Sequence, residues 1–417
     1  MPPDSPSPAA ANSASNYTFA GKISRAVLEN YLSRAITMSR LYASTQREED
    51  LRMLRNIGAK YIGRAAYIWG ERDGEEAHFA AAAETVAAYR PLDADTIFQA
   101  CVFEVVFEPI VSRVPIPAWV FEEFALPVKS RNFRYEAMLY DPENCAQCEP
   151  VKWQPHAGNR WMRDYFGEGA SVPDMSQVET QMWFYYRARR YIDAGYEALH
   201  LGQIHLMNNN DPLSQHWWSL LTRIRRYGAE RTRRHMVLID AHTHGVRLDD
   251  GRLLFDFHSY PQHIKDVVDK PGHGSLETGF RHAIYGKSLG GVAPAGWKCP
   301  HLPYLVEFDN WGSSGKPGKH LGTPNWVWGC DEITWFARQP EAYRNEYLRY
   351  ATRRVRELDP NGFLQMPGLR NLADPADGKR TYRANTRSPA CPDGFNQEET
   401  IKELWAGTGD HSALGSQ

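Results

Sequence analysis

The sequence predicts an α/β protein, a (β/α)8 TIM barrel in a single domain with a long insertion between strands 3 and 4. Three observations carry that expectation. About eight apolar, strand-like runs recur along the chain, most of them separated by amphipathic stretches of helical length, and strands alternating with helices imply parallel βαβ units. The chain has 417 residues, 42% of them hydrophobic, which suits one large domain with insertions. Four of the runs end in alternating polar or charged side chains, where parallel α/β proteins collect their chemistry.

The elements follow in order. Residues 1–16 are rich in Pro, Ser and Ala and read as a disordered segment. Residues 17–405 hold the expected barrel, and 406–417 read as a flexible tail. The first strand run is 27–37. A helix over 47–57 precedes the second run, 61–69, and an Ala-rich helix over 75–89 precedes the third, 96–107. A long excursion follows, with a Pro-rich stretch at 114–117 and the pair Cys145-Ala-Gln-Cys148. A helix over 176–194 leads to the fourth run, 198–207, and one over 213–231 to the fifth, 235–242. The sixth run is 253–258, the seventh 302–309 and the eighth 325–329, after which a helix over 341–358 closes the series.

Composition narrows the function. Net charge is −2, so no basic excess points to nucleic acid, and no run of 18 apolar residues points to a membrane span. Six cysteines in this length do not make a disulfide scaffold, and the lone C-x-x-C lacks a second pair at zinc-finger spacing. It reads as a small loop disulfide or two free thiols. The first residues lack the charged and apolar regions of a signal peptide, so the protein is expected in the cytoplasm, or outside it if a signal has been removed. The 13 Trp, 21 Tyr and 17 Phe are the stronger bias. Most serve packing, but flat rings beside polar groups also suit sugar faces.

The four polar run ends are Gln203-Ile-His205, Asp240-Ala-His242-Thr-His244, Asp256-Phe-His258 and Glu307-Phe-Asp309. Side chains two apart on a strand share a face, so each segment projects two or three such groups together. Cleaving a glycosidic bond needs two carboxyl groups, one acid and one nucleophile or base. Glu307 is expected as nucleophile or base, with Asp309 tuning its ionisation. Glu104, inside the apolar run Phe98-Gln-Ala-Cys-Val-Phe-Glu-Val-Val-Phe107, is the expected general acid, since burial raises a carboxyl pKa; an ion pair with Arg64 is the alternative. Asp240 and Asp256 are further candidates for the second carboxylate. Gln203, His205, His242 and His258 are expected to bind sugar hydroxyls, and Arg34 and Arg64 to orient carboxylates. Trp69, Glu71, Trp311, Trp326 and Trp328 are expected at subsite walls. A competing set, His242, His244, His258 and Asp240, has the donor types of a metal-dependent hydrolase or sugar isomerase. Gly286-Lys-Ser288 ends like a phosphate loop and Gly286-Lys-Ser-Leu-Gly290 like a nucleophile elbow. The first lacks its leading Gly and the second is followed by Pro294 instead of a helix.

The segments Leu201-Gly-Gln-Ile-His205, Leu253-Leu-Phe-Asp-Phe-His258, Leu302-Pro-Tyr-Leu-Val-Glu-Phe-Asp-Asn-Trp-Gly312 and Asp331-Glu-Ile-Thr-Trp-Phe336 resemble a group of uncharacterised bacterial glycoside-hydrolase-like (β/α)8-barrel proteins. The resemblance extends over most of 17–405 and implies a barrel fold and glycosidase chemistry. Retaining glycosidases of the large barrel superfamily carry an Asn-Glu pair after the fourth strand, where this chain has Gln203-Ile-His205, so their standard mechanism does not carry over. The expected function is thus hydrolysis of a poly- or oligosaccharide or glycoside, with a carbohydrate substrate and no cofactor. A non-catalytic glycan-binding barrel is the remaining alternative.

Overall fold

The computed structural model describes residues 16–70, 74–141, 162–310, 312 and 314–407. It is a mixed α/β fold around a central parallel sheet. Besides three short two-stranded ribbons, the strands make two larger sheets: β1 (Ala35–Met38), β2 (Tyr61–Ala66), β3 (Ile97–Cys101), β4 (Ala198–His200), β5 (Leu238–Asp240), β6 (His258–Pro261), β7 (Tyr304–Glu307), β8 (Gly362–Leu364), β9 (Met366–Ala376) and β10 (Lys379–Arg383). One sheet runs β10-β9-β1-β2-β3-β4-β5 and the other β8-β7-β6; all pairings are parallel except β9–β10. The two sheets meet twice. Only Gln365 separates β8 from β9, and His242, just past β5, bridges Ser259 of β6 in parallel.

The first run divides. Residues Arg25–Leu32 form helix α1 because Ser24 caps it, its side chain accepting from the Val27 N–H, and because Val27, Leu28, Tyr31 and Leu32 sit at helical spacing on one buried face. Only Ala35–Met38 is strand. Helix α2 (Arg47–Ile57) carries Glu48, Glu49 and Asp50 in its first turn, Arg55 in its last, and ends on left-handed Gly58. Helices α3 (Glu75–Tyr89), α4 (Val178–Asp193) and α5 (Gln215–Arg231) precede β3, β4 and β5 as expected.

Three later expectations need correction. In the sixth run the strand begins at His258 instead of ending there, so Asp256 and His258 lie at the amino end of β6. Residues 325–329 form no strand; Val327 makes an isolated bridge to Cys330, and the short helix α6 (Glu332–Arg338) follows, capped by Asp331. The last parallel strands are instead β8 and β9, after helix α7 (Glu341–Leu358). Pro367, Gly368 and Pro375 disguise β9 as a loop in sequence. Helix α8 (Glu398–Gly407) ends the described chain.

A buried apolar cluster fills the amino end of the sheet. It contains Ala35, Tyr61, Ile97, Ala198, Leu238, Phe257, Leu305 and Phe363, one residue at or beside the amino end of each parallel strand except β9. Tyr31 and Leu32 of α1 pack into the same cluster. Tyr61 of β2 and Phe257 beside β6 meet edge to face at 5.7 Å. This layer closes the amino end of the sheet with apolar side chains, which leaves the carboxyl end for polar ones.

Candidate active site

At the carboxyl ends of the parallel strands the chain surrounds a cavity of about 600 Å³. Nearly every strand delivers to it. Ser39 and Arg40 follow β1, Tyr67 and Trp69 follow β2, Phe103 and Glu104 follow β3, Gly202 and Gln203 follow β4, His242 follows β5, Asp309 and Asn310 follow β7, and Asn371 lies on β9. Tyr165 and Phe166 enter from the excursion after β3. Of the residues singled out in the sequence, Arg64, Trp69, Glu104, Gln203, His242 and Asp309 line this space.

Beneath the cavity, Glu307 ends β7 with 1% of its side chain exposed. Its Oε1 meets Arg64 and, at 2.8 Å, His242 Nε2, and its Oε2 accepts from Arg370 Nη1 at 3.1 Å. Burial alone would raise its pKa, but Arg64, His242 and Arg370 together hold it well below the usual carboxylate range. Arg64 reaches this point from left-handed backbone, φ 54°, where the β2–β3 register shifts between Ile62 and Ala66. A non-glycine residue at such φ is a local cost held in place by its surroundings. Arg370 Nη2 also donates to Asn310 Oδ1 at 2.7 Å and stands 3.7 Å from Asp309 Oδ1.

A second buried set lies alongside. Asp240 accepts from Gln99 Nε2 at 2.6 Å and Ser259 Oγ at 2.7 Å, and meets His200 Nδ1 at 2.8 Å. Burial keeps His200 below its ordinary pKa although Asp240 opposes it, and facing a carboxylate its Nδ1 is the donor. Asp240 is thus wholly engaged below the cavity.

Glu104 is different. The strand stops at Cys101, so Glu104 belongs to the turn after β3 and not to the middle of an apolar strand. It is 4% exposed and is not paired with Arg64. Its Oε1 accepts from Gln203 Nε2 at 2.9 Å, and its Oε2 is buried with no hydrogen-bond partner. Gly202 makes that position possible: its φ is +65°, and a Cβ there would lie 1.7 Å from Glu104 Oε2. Asp309 lines the same cavity with its side chain 18% exposed.

Rings line the cavity as well. Trp69, 40% exposed, meets Phe103, Phe107 and Phe166 edge to face with centroids 5.5, 5.8 and 5.3 Å away. Tyr67 packs on Phe103 at 5.2 Å.

The remaining expected residues lie elsewhere. Asp256 accepts from the Ile239 N–H at 2.9 Å and meets Arg225 at 3.3 Å; burial raises its pKa against Arg225, and it is no part of the cavity wall. His258 is fully buried, with no partner for either ring nitrogen, and burial pushes its pKa down to about 3. Arg34 precedes β1 at the amino end and lies 5.8 Å from the Trp405 ring. His205 sits exposed on the 3-10 turn Ile204–Met207. His244 Nε2 contacts the His282 carbonyl at 2.8 Å, its ring stacked on Tyr260. Trp328 is buried, its indole N–H donating to the His273 carbonyl at 2.6 Å, and Trp326 lies outside the cavity wall. Glu71, Trp311, Cys145 and Cys148 lie outside the described residues. The competing metal set is not brought together: His242 serves Glu307, Asp240 serves Gln99, Ser259 and His200, and among the described residues no three His, Cys, Asp or Glu side chains converge on one point.

Sequence reading missed Arg40, Tyr67, Phe103, Tyr165, Phe166, Asn310, Arg370 and Asn371. Alternation past Thr37 was a usable signal for Ser39, but Tyr67 lies three residues past Arg64, where the left-handed backbone breaks the period. Nothing local marks Tyr165, Phe166 or Arg370.

No protein-family model and no curated protein matches the chain. Among solved structures, 39 chains match. A debranching enzyme from Nostoc punctiforme is 10% identical, with 94% of this chain and 81% of that chain covered and a TM-score of 0.44. A cyclic α-maltosyl-(1→6)-maltose hydrolase from Arthrobacter globiformis is 12% identical, covering 90% and 83%, at 0.45. The glycoside hydrolase domain of PelA from Pseudomonas aeruginosa is 10% identical, covering 80% and 93%, at 0.33. This chain is similar to these structures at a level too low to bear on its chemistry.

Proposed function

We propose that the protein is a glycoside hydrolase whose two working carboxyl groups are Glu104 and Asp309. The observation that carries the proposal is Glu104: a buried carboxyl at a cavity wall with one oxygen held by Gln203 and the other making no protein hydrogen bond. Leaving a buried carboxyl oxygen unpaired costs stability, and a ligand hydroxyl or glycosidic oxygen is a suitable partner for it. Glu104 acts as the general acid, donating a proton to the leaving-group oxygen. Asp309, on the same cavity, acts as the base or nucleophile. The role expected of Glu307 passes to Asp309, because both oxygens of Glu307 are already taken by Arg64, His242 and Arg370. Glu307 instead fixes those cations under the site. Trp69 and Phe103 offer flat faces to sugar rings, and Gln203, Asn310 and Asn371 offer hydrogen bonds to hydroxyls.

The fold we infer for this chemistry is a closed eight-stranded barrel in which β8 and β9 share one position. Three facts support closure: the parallel bridge from His242 to Ser259, the single residue between β8 and β9, and the cluster drawn from all eight strand positions with the Tyr61–Phe257 contact across it.

The test is hydrolysis of a panel of aryl glycosides and oligosaccharides by the wild type, Glu104→Gln and Asp309→Asn, with and without EDTA. Cleavage that survives EDTA and is lost in both variants is expected. Activity abolished by EDTA and restored by a divalent cation would overturn the assignment. Saccharide binding without turnover would favour a glycan-binding barrel.

A further inference from the structure

Asp309 lines two cavities. Besides the large one, it borders a pocket of about 30 Å³ walled also by His263, Arg281, Cys330, Asp331 and Glu332. That is room enough for an ordered water, which needs roughly 10–15 Å³ of such space. The walls carry unmet hydrogen-bonding capacity. Asp331 is 4% exposed; its Oδ1 caps α6 by accepting from the Thr334 N–H at 2.6 Å, while its Oδ2 is buried with no partner. Both ring nitrogens of His263 are likewise buried without partners. Glu332 is not available in this way, since its oxygens accept from the N–H groups of Gln262, Ile264 and Asp309. Buried polar atoms around a water-sized space are the usual setting of a structural water.

We propose that this pocket holds an ordered water bridging Asp309, Asp331 Oδ2 and His263, and that Asp331 is a positioning residue: its protonated carboxyl donates through the water and favours the ionised form of Asp309. This rests on the reading of Asp309 as a working carboxylate. The charged and titratable groups facing the pair are His263 and Arg281 across the pocket, Cys330 and Glu332 beside it, and Arg370 behind Asp309. Arg370 attracts a negative charge on Asp309 while ionised Glu332 would repel one; the bridged hydrogen bond adds to the first. Burial, opposed by Thr334, pushes the Asp331 carboxyl up to about 7, which keeps it neutral through the acidic range.

The test is carboxyl NMR on substrate-free protein labelled with 13Cγ-aspartate, the Asp309 signal being identified by its loss in Asp309→Asn. Asp331→Asn keeps both the helix cap and a donor to the pocket; Asp331→Ser keeps the cap alone. The expected result is an Asp309 midpoint within a few tenths of wild type in Asp331→Asn, and raised by about one pH unit in Asp331→Ser. His263→Leu, which takes no part in capping, carries the same expected rise should the serine variant fail to fold. Any other pattern overturns the proposal. Because no substrate is present, absence of glycosidase activity would refute the proposed function and leave this measurement intact.

Discussion

Two buried glutamates at the same end of the sheet differ in every respect that decides what a carboxylate does. Glu307 in the floor of the cavity is met by Arg64, His242 and Arg370. Glu104 in the wall has one amide donor and one bare oxygen. Burial burdens both, but only the floor repays it with charge and hydrogen bonds inside the protein. A saturated carboxylate holds structure; an unsaturated one is poised for a partner that is not part of the chain. The largest expected effects separate the two. Glu104→Gln lowers kcat about 10²–10⁴-fold, the range for loss of a general acid, with unfolding in urea little changed. Glu307→Gln lowers the unfolding free energy by about 3–5 kcal/mol, since it leaves two buried arginines short of a counter-charge. Should Glu307→Gln unfold like the wild type and lose only activity, floor and wall would exchange roles.

A third buried carboxyl sharpens the contrast, because it is hydrogen-bonded yet not charge-paired. Burial pushes Glu332 up to about 8 against the N–H groups of Ile264 and Asp309. Its folded pKa therefore lies above the unfolded value of about 4.3. Such a group gives its full stabilisation below the unfolded pKa and loses it as pH rises through the folded one. The difference in urea unfolding free energy between the wild type and Glu332→Gln isolates this group from Asp331 and His258, and it is expected to fall by about a few kcal/mol between pH 4.5 and 8. Glu307 carries the opposite sign. Its pKa is depressed, so its contribution persists at neutral pH and is lost only below the unfolded value of about 4.3.

The wall depends on a backbone conformation as well as on side chains. Gly202→Ala would place a Cβ where Glu104 Oε2 now lies and force a side chain onto φ +65°. The expected result is a loss of kcat of about tenfold or more, with a stability cost of about 1–2 kcal/mol. Equal losses in Gly202→Ala and Glu104→Gln would identify the glycine's role as making room for the acid.

How much of this could be read from residues alone follows the same division. Part of the wall was legible, though Arg40, Tyr67, Phe103, Asn310 and Asn371 were not singled out. Gln203, His242 and Asp309 are polar residues just beyond apolar runs, and Trp69 and Glu104 stand out in theirs. Half of the floor was not. Arg370 lies in a strand that Pro367, Gly368 and Pro375 disguise, so the partner that saturates Glu307 Oε2 stayed hidden and Glu307 was expected as nucleophile or base. Asp256 and His258 shared the expected spacing but stand at the wrong end, because period-2 alternation gives the face of a strand and says nothing of where the strand starts. Helix α1 read as strand for a related reason: a short apolar run carries no length by which to choose between periods. Tyr165 and Phe166 reach the cavity from an excursion whose return path has no local signal.

The smallest expected effect concerns a ring of the same cavity. Trp69 is held edge-on by Phe103, Phe107 and Phe166, yet remains 40% exposed, which is generous for a tryptophan so well braced. The three phenylalanines fix the indole's orientation, so little rotamer entropy is lost when a sugar stacks on it. Trp69→Ala is expected to raise KM about 3–10-fold through loss of roughly 0.5–1.5 kcal/mol of ring contact, with kcat nearly unchanged because the ring binds ground state and transition state alike. Trp69→Phe should recover part of the loss. A fall in kcat without a change in KM would mean that the ring acts on the geometry of Glu104 through Phe103, its neighbour in the wall, and not on the substrate.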